Sequence, residues 1–231
     1  MEGPSLSRLV LYRSLEVFLK VKVVTRILEA NDRIAEDNRR KFREAGVYVV
    51  NLMGAPGAGK TTLLERTIRA LKPQIRIGVI EGDIVGSDDA ERIGALDVPV
   101  VQINTGGACH LDANMINEVL DELPLKELDL LIIENVGNLV CPAEFKVGED
   151  RKMMVLSIAE GHDKPLKYPL MFRESSALVL NKMDLLPYMN TDINKVRNDS
   201  LALNPQLKIF EVSCSTGTGI DAWAQWLNGL R

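Results

Sequence analysis

The sequence predicts an α/β fold, a mostly parallel central sheet with helices on both faces, and three observations carry that prediction. A run of strand formers over 47–53, VYVVNLM, leads straight into a glycine-rich loop, and a helical stretch over 62–71 leads out of it. Strand, tight loop and helix in that order form the first part of a parallel-sheet unit. The segment 128–134, LDLLIIE, is a near-continuous apolar run, as a central parallel strand covered on both faces should be. Finally, 231 residues suffice for one well-buried core with a helical appendage but not for two large domains. The expected division is a helical arm over 1–45 and one α/β domain over 46–231.

The arm comes first. Apolar residues at Leu6, Leu9, Val10, Val17, Val21, Val24 and Leu28 follow helical spacing, a strongly charged continuation covers 31–44, and Gly46 ends the pattern. Such a helix can pack on the domain or offer an amphipathic face to a partner, and packing is the expectation. Its most apolar stretch, 9–24, is broken by Arg13, Glu16, Lys20 and Lys22, which neither a membrane span nor a signal sequence tolerates. The net charge is −4 and the 28 basic residues are scattered rather than gathered into a stripe. That balance argues against nucleic acid as a partner and against membrane insertion, and for a cytoplasmic protein.

The glycine-rich loop reads Gly54, Ala55, Pro56, Gly57, Ala58, Gly59, Lys60, Thr61, with Thr62 opening the helix, and matches G-x-x-x-x-G-K-[ST] at every fixed position. Glycines let successive backbone N–H groups turn inward and cradle phosphate oxygens at a positively polarised helix start. Lys60 adds a point charge for the β and γ phosphates, and the Thr61 hydroxyl is placed to bind Mg²⁺. A glycine turn with no such duty rarely sits between a strand and a helix in this way.

A second strand over 75–80 ends in Glu81-Gly82-Asp83. A carboxylate at the carboxyl end of a parallel strand lies on the rim where ligands bind, so Asp83 is a candidate for holding Mg²⁺ or positioning water. A plain Gly-Asp turn is the alternative, and Asp88 and Asp89 carry no assignment. After a third strand over 98–103 and the fourth over 128–134, Glu134 stands where a nucleotidase holds Mg²⁺, directly or through water. Gly137 follows where a flexible residue can sense the γ-phosphate.

Further strands over 155–158 and 176–180 follow, and the second delivers Asn181-Lys182-Met183-Asp184. N-K-x-D after a buried strand reads guanine. Asp184 accepts two hydrogen bonds that adenine cannot donate, the Lys182 stem packs on the base, and Asn181 braces the loop. A strand over 209–212 leads to Ser213 and Cys214 in SCSTG, whose backbone can cap the base edge. The final helix, 220–230, carries Trp223 and Trp226 as core anchors.

Soft ligands gather elsewhere. Three cysteines, Cys109, Cys141 and Cys214, are an odd number in a sequence with no export signal, so free thiols or metal ligands are expected rather than a disulfide framework. Cys214 has no second soft ligand near it and reads as packing. Cys109 and His110 are adjacent in a loop, NTGGACHLD, where both can turn toward a common or a bridging ion. Cys141 lies seven residues beyond Glu134. If the three converge, two thiolates and an imidazole suit Ni²⁺ or Zn²⁺ and leave a coordination position open. Otherwise the thiols are core and His110 is a loop residue. His162 reads as a surface loop residue.

With GAPGAGKT, EGD, ENVGNLVCPA, NKMD and GGACHLDANM in hand, the sequence resembles the hydrogenase nickel-incorporation GTPases, the HypB family, from about residue 25 to the C-terminus. The resemblance implies a P-loop NTPase of the SIMIBI type, a G domain that hydrolyses GTP to GDP and phosphate. It implies a metallochaperone that assists nickel insertion into the large subunit of [NiFe]-hydrogenase, together with a zinc-binding accessory protein. It also implies a nucleotide-dependent homodimer with metal at or near the interface. Carried onto this sequence, the family's metal ligands fall on Cys109, His110 and Cys141, and its guanine contacts on Asn181, Lys182 and Asp184. Many members carry an N-terminal cysteine motif or histidine-rich tract, and residues 1–231 contain neither.

The residues alone add a mechanism. Cys141 follows Glu134 and Gly137 on one switch-like segment, so loss of the γ-phosphate should move one metal ligand relative to the others. Metal affinity should then depend on nucleotide state, and by linkage the converse holds by the same factor. No residue announces itself as the one that orients the attacking water, so slow intrinsic hydrolysis is expected. Three rivals remain. A urease-type nickel-delivery GTPase has the same engine but a Cys-Pro-His motif, whereas here Cys109 and His110 are adjacent and Cys141 precedes Pro142. A regulatory GTP switch would leave the cysteines as core, and an ATP-using kinase is disfavoured by Asn181-Lys182-Met183-Asp184.

Overall fold

The computed structural model describes residues 6–84, 86 and 88–231, with side chains from residue 26 onward. Seven strands, β1 (Tyr48–Gly54), β2 (Ile77–Asp83), β3 (Val100–Asn104), β4 (Leu130–Glu134), β5 (Arg151–Ser157), β6 (Ser175–Asn181) and β7 (Lys208–Glu211), form one sheet in the order β3-β2-β4-β1-β5-β6-β7. Every strand pair in it is parallel. The helices are α1 (Leu6–Ala45), α2 (Lys60–Leu71), α3 (Asp88–Gly94), α4 (Ala113–Val119), α5 (Cys141–Glu144), α6 (Lys164–Lys167), α7 (Pro169–Glu174), α8 (Ile193–Leu203) and α9 (Ile220–Asn228).

Strand alternation sorts the core into two faces. Val50, Leu52, Ile132, Met153 and Val155 point toward α2 and α9, where they meet Leu64, Ile68, Trp223 and Leu227. Their neighbours Val49, Ile80, Leu131 and Ile133 point the other way, against Phe42 of α1 and Ile116 of α4. Met53, Met154 and Leu156 continue that second face under Phe172 of α7 and Val196 of α8. The Trp223 indole is 2 % exposed and donates its N–H to Thr67 Oγ1 at 2.9 Å, so its one polar group is satisfied within the core. Trp226 packs at the margin of the same cluster.

The arm's described side chains show how it docks. Asn31, Ala35, Asn38 and Phe42 recur at helical spacing and are all buried, so this stripe lies against the domain. The apolar positions from Leu6 to Val24 lie outside the described side chains. Charged residues of the continuation pair along the helix, Arg39 with Glu36 and Arg40 with Asp37. Among the described residues no helix is long and apolar enough to cross a membrane.

Four strands start at least two residues from the sequence expectation, β4 among them at Leu130 rather than 128. β2 begins two residues later than 75 because the Ile75 N–H is still bonded to Leu71 O at the end of α2. It runs on through Glu81 and Asp83, whose carboxylates face a cleft instead of ending the strand. β3 likewise sits at Val100–Asn104. β5 starts four residues before 155, at Arg151 and Lys152, because the sheet accepts a lysine whose ammonium is met by backbone carbonyls.

Candidate nucleotide and metal sites

The carboxyl ends of β1, β2 and β4 open into a cavity of about 480 Å³. It is lined by Pro56, Gly57, Gly59, Lys60, Thr61 and Thr62 on one side, and by Glu81, Asp83, Glu134 and Gly137 on the other. Open α/β sheets bind ligands at this rim. Gly59 has φ +95°, and a Cβ there would stand 2.4 Å from the Asn181 amide, so the loop closes only with glycine. Gly137 has no room either, since a Cβ would lie 2.9 Å from Pro56 N.

Lys60 and Thr61 are each 8 % exposed, and Thr61 Oγ1 donates to Glu134 Oε1 at 2.9 Å. Glu81 lies opposite Glu134 in the β2–β4 register, and both are buried. Desolvation raises both carboxyl pKa values. The neighbouring Glu134 charge adds to the rise at Glu81, while Lys60 and the Thr61 hydroxyl pull Glu134 partly back. Glu81 Oε2 and Glu134 Oε2 accept no hydrogen bond among the described residues. Two buried, unpartnered carboxylate oxygens beside a lysine are a donor set that a hard divalent cation such as Mg²⁺ fits. Asp83 lines the same cavity, is half-buried, and accepts from Ile84 N at 2.7 Å.

The N-K-x-D loop stands at the far side. Asn181 is 2 % exposed, donates to Ala58 O at 3.0 Å and accepts from Cys214 N at 3.2 Å, so it ties the glycine loop to the SCSTG turn. Lys182 sits at φ +63° and reaches Gly57 O at 2.7 Å across the glycine loop. Asp184 accepts from Ser213 Oγ at 2.6 Å. The Cys214 N–H is taken by Asn181, and burial pushes its thiol up to about 11, as packing requires.

The soft ligands converge. Cys109 Sγ is 3.1 Å from Cys141 Sγ and 3.7 Å from His110 Nδ1, and the three ligand atoms all lie within 4.8 Å of one another. A tetrahedral ion with metal–sulfur bonds of about 2.3 Å spaces two sulfurs by about 3.8 Å, so a slight opening admits one. Local structure fixes the loop. Leu111 is fully buried against Gly82, and the Asp112 carboxylate caps α4 by accepting from Met115 N at 2.9 Å. The His110 ring lies tilted against Phe145 with centroids 4.0 Å apart, and burial lowers its pKa, which favours the neutral imidazole that ligates. Burial and the bond to Cys109 raise the Cys141 thiol.

The two sites share a segment. From Glu134 the chain runs past Asn135, whose N–H bonds Leu52 O, and Asn138, whose N–H bonds Gly54 O at the mouth of the glycine loop. Three residues later it reaches Cys141. The sequence reading missed Glu81, Asn135, Asp89 and Arg92 in the cavity wall. Glu81 had a legible signal, since it sits two residues before Asp83 on one strand and so shares its face. Arg92 had none, because α3 places it.

Residues 48–211 match the family model described as CobW/HypB/UreG, nucleotide-binding domain. Hydrogenase maturation factor HypB of Escherichia coli K12 is 49 % identical over 205 residues, covering 89 % of this chain and 71 % of that protein. The chain belongs to the HypB family. Among solved structures, HypB of Archaeoglobus fulgidus superposes with TM-score 0.82 at 41 % identity, covering 87 % of this chain and 98 % of that one. HypB of Helicobacter pylori in complex with nickel gives 0.81 at 38 %, covering 87 % and 94 %. As a HypB, the chain is a P-loop GTP hydrolase and a hydrogenase maturation factor.

Proposed function

We propose that this HypB is a GTP-driven nickel metallochaperone whose Cys109, His110 and Cys141 hold the cargo ion, and whose nucleotide state sets how tightly they do so. The observation that carries the reading is that Cys141 stands on the segment that leaves the nucleotide cavity at Glu134, with its sulfur 3.1 Å from Cys109. Nickel bound to the H. pylori relative supports nickel as cargo. Three ligands leave a position open, which suits an ion that must be passed on. Zinc accepts the same ligands and competes for them.

In this reading Gly54–Thr61 cradles the phosphates, Lys60 neutralises the β and γ oxygens, and Asn181, Lys182 and Asp184 select guanine, with the Ser213–Cys214 turn at the base edge. Thr61, Asp83 and Glu134, with the unpartnered Glu81 oxygen beside them, would hold Mg²⁺, which would supply positive charge to the phosphates as negative charge moves onto the leaving group. Gly137, pressed on Pro56, reports the γ-phosphate to the segment that ends at Cys141. GTP and metal each favour a homodimer with the ion at or near the interface, and hydrolysis loosens it. A zinc-binding accessory protein and the hydrogenase large subunit are the proposed partners in delivery.

The test is Ni²⁺ and Zn²⁺ binding to the purified chain with GDP and with a non-hydrolysable GTP analogue, mass being followed by light scattering. Affinity and dimer are expected to change together with nucleotide, and both responses to disappear in a Cys109→Ala, Cys141→Ala double variant. Equal metal affinity in the two nucleotide states sinks the coupling; no metal binding in either state leaves a GTP switch whose cysteines only pack.

A further inference from the structure

Four buried polar side chains on the α4 and α5 side of the sheet have no part in the reading above. Asn51, Asn135, Glu149 and Lys152 are 0 %, 1 %, 4 % and 6 % exposed. Positions so deep in a core are filled more cheaply by apolar residues, because an amide or a charge removed from water must recover its lost hydration from partners. These residues find their partners in one another and in two particular stretches of backbone.

Asn135 Oδ1 accepts from Leu111 N at 3.0 Å, and Leu111 directly follows His110. Asn135 Nδ2 donates to Asn51 Oδ1 at 3.2 Å, and Asn51 Nδ2 donates to Glu149 Oε1 at 3.4 Å. Glu149 also accepts from Val147 N at 2.7 Å, and its other oxygen faces Lys152 Nζ at 3.9 Å. The Lys152 ammonium donates to Ala143 O at 2.6 Å and to Pro142 O at 3.1 Å, and Pro142 directly follows Cys141. One end of the chain of contacts therefore holds the peptide beside one metal ligand, and the other end holds the peptides beside another. Near the first end is Asn135, the residue after Glu134 in the nucleotide cavity.

We propose that Asn51, Asn135, Glu149 and Lys152 are positioning residues that couple the two sites, setting the spacing of His110 and Cys141 according to the position of the Glu134–Gly137 segment. The inference rests on the nucleotide-dependent metal affinity proposed above. Both groups of the Asn135 amide are committed, so the side chain cannot follow its own backbone without pulling on Leu111 and Asn51 together. The two longest contacts, 3.4 Å and 3.9 Å, both involve Glu149. They divide the chain into a half bonded beside His110 and a half bonded beside Cys141. One is a hydrogen bond and the other an ion pair, and their making or breaking is the two-state element that this coupling between separate sites requires.

The experiment uses the full chain with Ni²⁺ as probe, competed against a chelating dye in the GDP state and in the GTP-analogue state. The quantity read is the ratio of the two affinities, in wild type, Lys152→Met, Asn51→Leu and the double variant. GDP affinity and a thermal melt are recorded beside it. A wild-type ratio within the usual range of roughly 5 to 150 is expected to fall to about one in each variant. The double variant should lose no more than either single one, because the residues act in series. GDP affinity should stay within about twofold. If nickel affinity drops by the same factor in both nucleotide states, so that the ratio survives, the residues only support the fold and the proposal is overturned. A wild-type ratio of one is seen before any variant is made and overturns the coupling reading itself. Should either variant fail to melt cooperatively, Glu149→Gln, which keeps the side-chain volume, takes its place with the same criterion.

Discussion

The nucleotide end and the metal end of this molecule are built in opposite ways from adjoining pieces of chain. Lys60, Thr61, Glu81, Glu134 and Asn181 are all less than one-tenth exposed and stand at strand ends or on the first turn of α2. Cys109 is exposed, His110 and Cys141 are half-buried, and two of the three sit in a loop. A triphosphate with Mg²⁺ needs a fixed field from which water is excluded, and only the sheet rim supplies one. A cargo ion needs ligands that a partner can reach and that can move apart. Burial thus separates what is retained from what is handed on.

The largest effect is expected where the comparison is broken at the buried end. Lys60→Ala removes the buried cation beside Glu81 and Glu134, and GTP hydrolysis, read as phosphate release, should fall by about 10²- to 10³-fold. Nickel affinity of the nucleotide-free variant should stay within about twofold of wild type. A large loss there would mean that Lys60 also organises the metal end, and the separation drawn above would be wrong.

A smaller, graded effect is expected at the exposed end. Metal must displace protons from thiols, and burial together with the Cys109 bond holds the Cys141 thiol above the usual range. The proton therefore competes at Cys141 up to a higher pH than at a free cysteine. The sign follows: apparent nickel affinity rises with pH, by up to about tenfold per pH unit for each thiol still protonated. His110, lowered by burial, holds its proton less tightly than a free imidazole and so competes with the ion less. Dye competition between about pH 6 and about pH 8 checks this, and nucleotide affinity over the same range should be flat by comparison. A flat nickel profile would place the ion on groups other than these thiols.

How much of this could be read beforehand follows the same division. The glycine loop, Glu134 and Asn181-Lys182-Met183-Asp184 were legible because the chemistry of phosphate and guanine fixes residue type and spacing along a continuous stretch. Cys109, His110 and Cys141 were legible as a candidate set because Cys109 and His110 are adjacent, whereas Cys214 has no second soft ligand near it in sequence. Their convergence to within 4.8 Å depends on β1 holding the 135–138 segment, which no local pattern announces. The start of β5 was hidden for a related reason. Lys152 reads as surface, and only the carbonyls of Pro142 and Ala143, nine or more residues away, make it a core residue. Glu149, Asn51 and Asn38 were equally silent, since a buried polar residue is recognised by its partners and its partners lie far off in sequence.

Asn38 gives the smallest predicted effect and the sharpest separation of the two ends. From α1 its amide donates to Ala113 O at 2.8 Å and to Val147 O at 3.2 Å, so it joins, from outside the sheet, the helix after His110 to the stretch after Cys141. Its own Oδ1 has no partner among the described residues, so part of what the two bonds contribute is offset by a desolvated acceptor. Asn38→Ala should therefore cost about 1 kcal/mol, at the low end for a buried amide. For a chain of this size that is a fall of about 2–4 °C in melting midpoint. Neither bond reaches the nucleotide cavity, so GDP affinity should not change, whereas nickel affinity should weaken by a few-fold in both nucleotide states alike. That uniform loss is the signature of a strut, and it contrasts with the loss of nucleotide dependence expected when Lys152 or Asn51 is replaced. If Asn38→Ala instead altered the GDP-to-GTP ratio, the arm would belong to the switch itself, and the line between retaining and releasing regions would run through α1.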